Sequence, residues 1–462
     1  MKTKFYFITL LLVHVFITTT KAQPSTYSKV FFDAQNLGIH ANSLVPTPDK
    51  GYIIAGGALY SQAFLLKIDS LGNESWNKSF ALNTNNGFTK IVESKDDNYY
   101  VVGSAYSATT SMNDVFYAKI NPQGDTLWSR SLNYGSFSCE ALNAVSTLDS
   151  GLVLTGYLAQ NLAPYANIIV SKIDKNGALQ WSKVLSSGNN SNYGFSIKQT
   201  ADSGYIVTGY VENFPPYEGS SFLMKMDKQG NVSWAKKYNK GNTMVCAGND
   251  VVITNNGYLN YMNSGAYATI LKTDFSGNLI AAKRISNFIS QNIMNSVKPK
   301  LNKSSDGGYF TVSGDMGFGG ITKLDSLLNL QWESSLYFIS IDGSEAADKG
   351  YFLIGNGPLY GIRLASPSSP QIGLIKADSL GVQATCTYTN LNTINQPDTL
   401  IVTTMSIISN ASGSSNLVHP LYTSLTLSSD SGCVTFLSAV EENSINTLCS
   451  VYPNPSDRKS VV

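Results

Sequence analysis

Asp202 to Tyr210 (DSGYIVTGY) and Lys225 to Trp234 (KMDKQGNVSW) are the two phrases that decide how this chain is read, because both recur along most of its length. The glycine of the first phrase returns at Gly51, Gly151, Gly204, Gly257, Gly308 and Gly350, with Asn98 in its place in the second repeat. A step of about fifty residues is one supersecondary unit, too small to bury an apolar face alone and so obliged to stack on its neighbours. Each first phrase reads as a hairpin turn. Asp or Asn closes the turn through its side chain, and glycine supplies positive φ, for which Asn98 is the best substitute among the other residue types.

Behind each turn lies a short apolar run, such as Tyr52 to Gly57 (YIIAGG), Tyr99 to Ser104 (YYVVGS), Leu152 to Tyr157 (LVLTGY) and Tyr351 to Asn356 (YFLIGN). These runs are too short for helices, rich in β-branched and aromatic residues, and apolar on both faces, so they predict strands covered on both sides. A third and a fourth strand flank the second turn, as in Ile168 to Asp174 followed by Leu179 to Leu185. Four strands per unit in seven units predict an all-β fold, a seven-bladed β-propeller spanning residues 23–389.

Trp76, Trp128, Trp181, Trp234 and Trp332 hold one register in the fourth strand and are all the tryptophans of the chain. They read as wedges between blades, each worth about 4 to 6 kcal/mol at most if fully buried. The fifth unit has Ala281 and Ala282 where tryptophan is expected, and the sixth has Leu328 in place of the second-turn glycine, so blade 5 is expected to be the weakest. Tyr27 to Phe31 (YSKVF) matches a fourth-strand phrase but precedes every other strand, while the last unit loses its own tryptophan phrase after Ile372 to Asp378. The N-terminal strand is therefore expected to complete blade 7 and close the ring, which leaves no sheet edge open at the join.

The ends carry addresses. Lys2 and Lys4, an apolar stretch from Phe5 to Phe16 and the small-residue site Thr20 to Ala22 read as a signal peptide over residues 1–22. The apolar stretch falls short of the ~20 residues that span a bilayer, so no membrane span is expected. Loss of Lys2, Lys4 and Lys21 takes the formal charge from +1 to about −2. That balance gives no electrostatic reason to bind nucleic acid. Cys139, Cys246, Cys386, Cys433 and Cys449 are too few for a disulfide framework and show no CxxC spacing, so no metal site is expected from them.

Asp114 to Tyr134 (DVFYAKINPQGDTLWSRSLNY), taken with Gly151 to Gly156, resembles the bacterial β-propeller repeat called SBBP, and the resemblance covers roughly residues 27–389. It implies the propeller fold and no particular activity. The Asp-x-x-Gly phrase before each tryptophan is also similar to the docking motif of quinoprotein propellers, but its Asp-to-Trp distance is one residue shorter and no neighbouring-cysteine pair is present, so no cofactor is expected. After a Ser/Thr-rich linker or small β segment over residues 390–446, Val451 with Tyr452, Pro453, Asn454 and Pro455 resembles the opening of the type IX secretion sorting domain of Bacteroidota. The resemblance implies export across the outer membrane by the type IX machinery, to the medium or the cell surface. Residues 447–462 would then be the truncated start of that domain, and 457–462 also read as the in-frame translation of a common sequencing adapter, so those six residues are expected not to belong to the natural chain.

The sequence presents no catalytic constellation. His40 and His419 are the mature histidines and lie far apart, which leaves a Ser/His/Asp triad or a histidine metal cluster hard to assemble. Asp69, Asp174, Asp227, Asp274, Asp325 and Asp378 recur at one turn and read as structural. The second-to-third-strand loops each carry an aromatic residue, namely Tyr60, Tyr106, Tyr165, Tyr217, Tyr267, Phe318 and Tyr360. Such a ring at a propeller mouth suits stacking on sugars or gripping a peptide. The expected function is a secreted or cell-surface binding or adhesion module for an extracellular glycan or protein. The alternatives are an extracellular carbohydrate-active enzyme, whose paired acids need only meet in space, and a purely structural module of a larger surface protein.

Overall fold

The computed structural model describes residues 26–382 apart from short connecting stretches, of which 287–297 and 357–370 are the longest, and the strands of a tail between 396 and 430; residues 1–25 and 431–462 lie outside it. The chain is a seven-bladed β-propeller of antiparallel four-stranded blades. Blade 1 covers residues 39–81, blade 2 88–133, blade 3 137–186, blade 4 191–239, blade 5 246–286, blade 6 300–336 and blade 7 339–377. In each, the first strand lines the central channel and the fourth lies at the rim. The two hairpin turns of a blade open on one face, and the remaining connections on the other.

Closure occurs as the N-terminal phrase predicts. Tyr27–Asp33 pairs antiparallel with Ile372–Ala377 and becomes the fourth strand of blade 7, with Tyr27 opposite Lys376. The tryptophans occupy the same register, Trp76 opposite Lys67 and Trp181 opposite Lys172. The join is sealed by apolar contact across it: Phe31, Ile39, Tyr52, Phe352 and Ile354 share one buried cluster, and the Tyr52 and Phe352 rings stack at 4.0 Å.

The first turns work differently from the sequence reading. In six blades positive φ falls one residue before the recurrent position, at Lys50, Asp97, Ser150, Ser203, Gly307 and Lys349, while in blade 5 Gly257 itself has a φ of 150°. The glycine is needed because a Cβ at Gly204 would lie 2.3 Å from the Met226 carbonyl oxygen and 2.5 Å from Lys225 Nζ. That lysine is the first residue of the second phrase. Lys225 Nζ reaches Asp202 at 2.8 Å and donates to the Met226 carbonyl at 3.0 Å. The same ion pair recurs as Lys67 with Asp49, Lys119 with Asp96, Lys172 with Asp149, Lys323 with Asp306 and Lys376 with Asp348. The two phrases therefore recur together because they bond to each other within a blade.

The second phrase also joins blades. Asp69 accepts the Leu71 and Asn73 amides, each at 2.8 Å, which closes the second turn with Gly72 at positive φ. In the next blade Gly124 stands against Trp76, where an added Cβ would lie 2.6 Å from the indole; Gly230 meets Trp181 in the same way at 2.7 Å, and Gly72 meets Tyr27 at 2.5 Å. Two residues after the tryptophan, Lys236 reaches Asn278 at 2.6 Å and Lys183 reaches Asn231 at 3.4 Å. The tryptophans are half-buried wedges, so each contributes less than the full-burial figure.

The tail adds a second layer to the rim. Gln396–Pro397, Ile401–Thr404, Ile408–Ala411, Ser414–Leu417, Tyr422–Thr423 and Leu427–Asp430 pair in turn with the outermost strands of blades 5, 4, 3, 2, 1 and 7. The segment runs around the propeller against the order of the blades and gives each of these six a fifth strand. Met405 anchors it to blade 4: its amide donates to the Ala235 carbonyl at 3.0 Å, and its side chain is buried in the cluster of Ala235 and Met226.

Candidate functional site

Of the aromatic residues expected at the loop-bearing face, Tyr106, Tyr165, Tyr267 and Phe318 are described, on blades 2, 3, 5 and 6. Tyr106 ends Tyr99–Ser107 and is 44% exposed. Tyr165 is half-buried just before Ala166–Ile173. Tyr267 opens Tyr267–Thr273 with the Arg284 guanidinium 3.9 Å from its ring centre, a cation–π contact that fixes the ring. Phe318 opens Phe318–Leu324. Tyr60, Tyr217 and Tyr360 lie outside the described residues, as do the sorting-motif residues Tyr452, Pro453, Asn454 and Pro455.

A second aromatic group on this face was not anticipated. Tyr157 and Tyr193 meet edge to face at 5.3 Å, and Tyr193 stacks towards Phe195 at 6.0 Å and Tyr210 at 6.4 Å. The Tyr157 hydroxyl donates to Glu140 at 3.1 Å. The Thr-Gly-Tyr shared by Leu152–Gln160 and Tyr205–Asn213 is the signal that could have found Tyr157 and Tyr210.

Inside the channel the first strands share one irregularity. Register shifts fall between Ala41 and Ser43, Phe88 and Lys90, Ala141 and Asn143, Gly194 and Ser196, Gly248 and Asp250, and Ser340 and Asp342. A bulge re-aims the residues around it. The residues after the bulges form one level of the channel, and Lys300 holds the matching place in blade 6, opposite Val312.

That level ties blades together. Asp342 accepts from Ser43 Oγ at 3.1 Å, the Leu44 amide at 3.2 Å and Lys90 Nζ at 3.1 Å, so one carboxylate of blade 7 holds blades 1 and 2. Asp250 of blade 5 accepts from Ser196 Oγ at 2.7 Å on one side and the Leu301 amide at 3.1 Å on the other, with Lys198 Nζ 3.6 Å away. Asp250 is buried, which opposes ionisation, but Lys198, Lys300 and these hydrogen bonds together hold its carboxyl below the usual carboxylate range. Lys298 sits 3.8 Å from the Phe195 ring centre; burial, with a smaller push from Lys300, brings its ammonium down to about 7. Burial lowers Lys300 in the same direction.

The channel opens on the turn face into a cavity of about 440 Å³ lined by residues of blades 2 to 6, among them Lys95, Lys198, Lys303, Val145, Val252 and Leu301. Outside it the turn face is uneven. Leu71, Leu327 and Leu380 stand exposed at the second turns of blades 1, 6 and 7, where blades 2, 3, 4 and 5 carry Gln123, Asn176, Gln229 and Ser276, and Phe275 is exposed one residue earlier in blade 5. Among the described residues no group of three or more His, Cys, Asp or Glu is placed to hold a metal ion.

No protein-family model and no curated protein matches the chain. The chain is similar to a crystal structure of a protein of unknown function from Bacteroides caccae at 12% identity, covering 67% of this chain and 93% of that one with a TM-score of 0.36. A crystal structure described as the eukaryotic initiation factor aligns at 9% identity over 67% of this chain and 96% of that one, with a TM-score of 0.31.

Proposed function

We propose that the chain is an exported, non-catalytic binding propeller of the SBBP-like kind, working at or beyond the outer membrane of a Bacteroidota-type cell. The observation that carries the non-catalytic reading is the use made of the channel carboxylates. Asp342 and Asp250 are each engaged by a backbone amide, a serine hydroxyl and a lysine of neighbouring blades. A general acid or base needs a carboxyl free to exchange its proton with substrate. The repeated turn carboxylates are spent in the same way on their own turns.

Recognition is assigned to the loop-bearing face, with an extracellular glycan or protein as partner. Tyr106 offers exposed ring area with a polar tip there, the combination that stacks on sugars and packs on peptides. Export is assigned to the signal peptide and, where the sorting domain is complete, to the type IX machinery through Tyr452 to Pro455. A glycan and peptide array probed with the mature chain and with a Tyr106→Ala/Tyr165→Ala variant tests the reading. Selective binding that the variant loses at unchanged melting temperature is expected. A well-folded mature chain that retains nothing on the array would instead favour a structural module.

A further inference from the structure

The channel gathers more half-buried lysines than carboxylates. Lys90, Lys198 and Lys300 act on Asp250 and Asp342, and Lys298 stands close to Lys300. Lys90 is matched to Asp342 at 3.1 Å, and Lys198 lies 3.6 Å from Asp250. Lys300 is half-buried at the same level and makes no hydrogen bond or ion pair with a described residue; Asp250 and Asp342 act on it only at longer range. Glu345, at the turn end of the blade 7 inner strand, is already engaged by Ser304 and the Ser305 amide. An ammonium partly withdrawn from water without a close partner is destabilised, and an anion is the usual remedy.

Space for one adjoins it. Leu301, Asn302 and Lys303, which follow Lys300 on the same strand, line the 440 Å³ cavity, together with Lys198 and Gln199. That volume suits a small molecule rather than a polymer. Lys95, Lys198 and Lys303 line it, and Lys300 adjoins the lining residue Leu301 within electrostatic reach of Lys198, so positive charge stands at more than one point of the wall. We propose that the channel is an anion-binding site entered from the turn face and centred on Lys198 and Lys300, taking a small ligand with two or more carboxylate or phosphate groups. This site lies on the face opposite the aromatic loops and stands independently of the function assigned to them.

Calorimetric titration of the mature chain with citrate, with inorganic phosphate and with pyrophosphate, each at constant ionic strength, tests it and separates the carboxylate from the phosphate class. Saturable binding of at least one is expected, with a matching rise in melting temperature. Lys198→Gln and Lys300→Met should each weaken it by about tenfold or more, because each removes a charge from a desolvated contact. Lys303→Gln reads the same site from a lining residue should Lys300→Met not fold. Absence of heat and of thermal shift with all three anions at about a thousandfold excess over protein would overturn the proposal. So would undiminished affinity in a folded Lys300→Met variant, or an equal rise in melting temperature with sodium chloride, which marks general screening.

Discussion

Leu328 of blade 6 and Ala281 of blade 5 are a matched exchange. Ala281 lies opposite Lys272, in the register that tryptophan holds in blades 1 to 4 and 6, and Leu328 takes the second-turn position where blades 1 to 5 and 7 carry glycine. At the other boundaries an aromatic ring, Tyr27 at the join and an indole elsewhere, covers a bare glycine of the next blade; here the leucine supplies the apolar bulk, buried beside Val252 and Leu259 of blade 5. Leu328 keeps the turn's φ of 65°, which costs a residue with a Cβ about 1 kcal/mol.

The exchange predicts coupling. Ala281→Trp should destabilise the fold, because the indole would meet the leucine, and Leu328→Gly alone should open a gap. The double variant should recover most of both losses, with an interaction energy of about 1 to 3 kcal/mol in a denaturation cycle. Simple additivity would show that the two positions do not meet.

Closure rests on Tyr27–Asp33. Removing that strand leaves Ile372–Ala377 without its partner and strips Phe31 from the cluster around Ile39 and Phe352. Loss of cooperative unfolding by calorimetry is expected, whereas Phe31→Ala, a single core truncation, should cost about 3 to 5 kcal/mol and leave the transition cooperative. A strand deletion that melts like the parent would disprove the seal.

Acid should weaken the fold in a defined window. Partial burial opposes ionisation at Asp49, Asp96 and Asp202, but hydrogen bonds from Lys67, Lys119 and Lys225 and from neighbouring hydroxyls outweigh it and hold each carboxyl at about 2. A carboxyl depressed on folding contributes stability that is present above its unfolded value and is lost as pH falls towards its folded value. Melting temperature should therefore fall between about pH 4 and pH 2, with Asp49→Asn and Asp202→Asn flattening the slope. These carboxylates are largely exposed, so each contributes modestly and the effect comes from their repetition. A flat profile over that window would argue against the repeated pairs.

The tail should behave as part of the domain. A chain ending at Thr389 loses the strands that pair with six blades and leaves those rim strands open. Unpaired edges invite association. Compared with a chain ending at Asp430, it should melt lower and scatter light in a concentration-dependent manner, and Met405→Asp in the longer chain should reproduce part of the thermal loss. Identical melting and a monomeric shorter chain would show that the outer strands are dispensable.

The repeat determined the fold because each blade is built from contacts close in sequence. A hairpin turn, a two-sided apolar run and a lysine 18 to 23 residues from its aspartate in blades 1, 3 and 4 recur at fixed spacing, so the pattern is visible in one chain. The orphan phrase at Tyr27 was legible for the same reason. What tertiary structure alone decided lies between strands and between blades. The role of the recurrent glycine depends on a carbonyl and an ammonium of the third strand of its own blade. The exchange between Ala281 and Leu328 lies across a blade boundary, and the outer strands of residues 396–430 are two to four residues long, with partners more than a hundred residues away. The lysines of the channel show no common sequence pattern, since Lys90 follows a bulge of its inner strand, Lys300 holds the matching place in a strand without one, and Lys198 lies two residues further on, so only the closed ring brings them near one another.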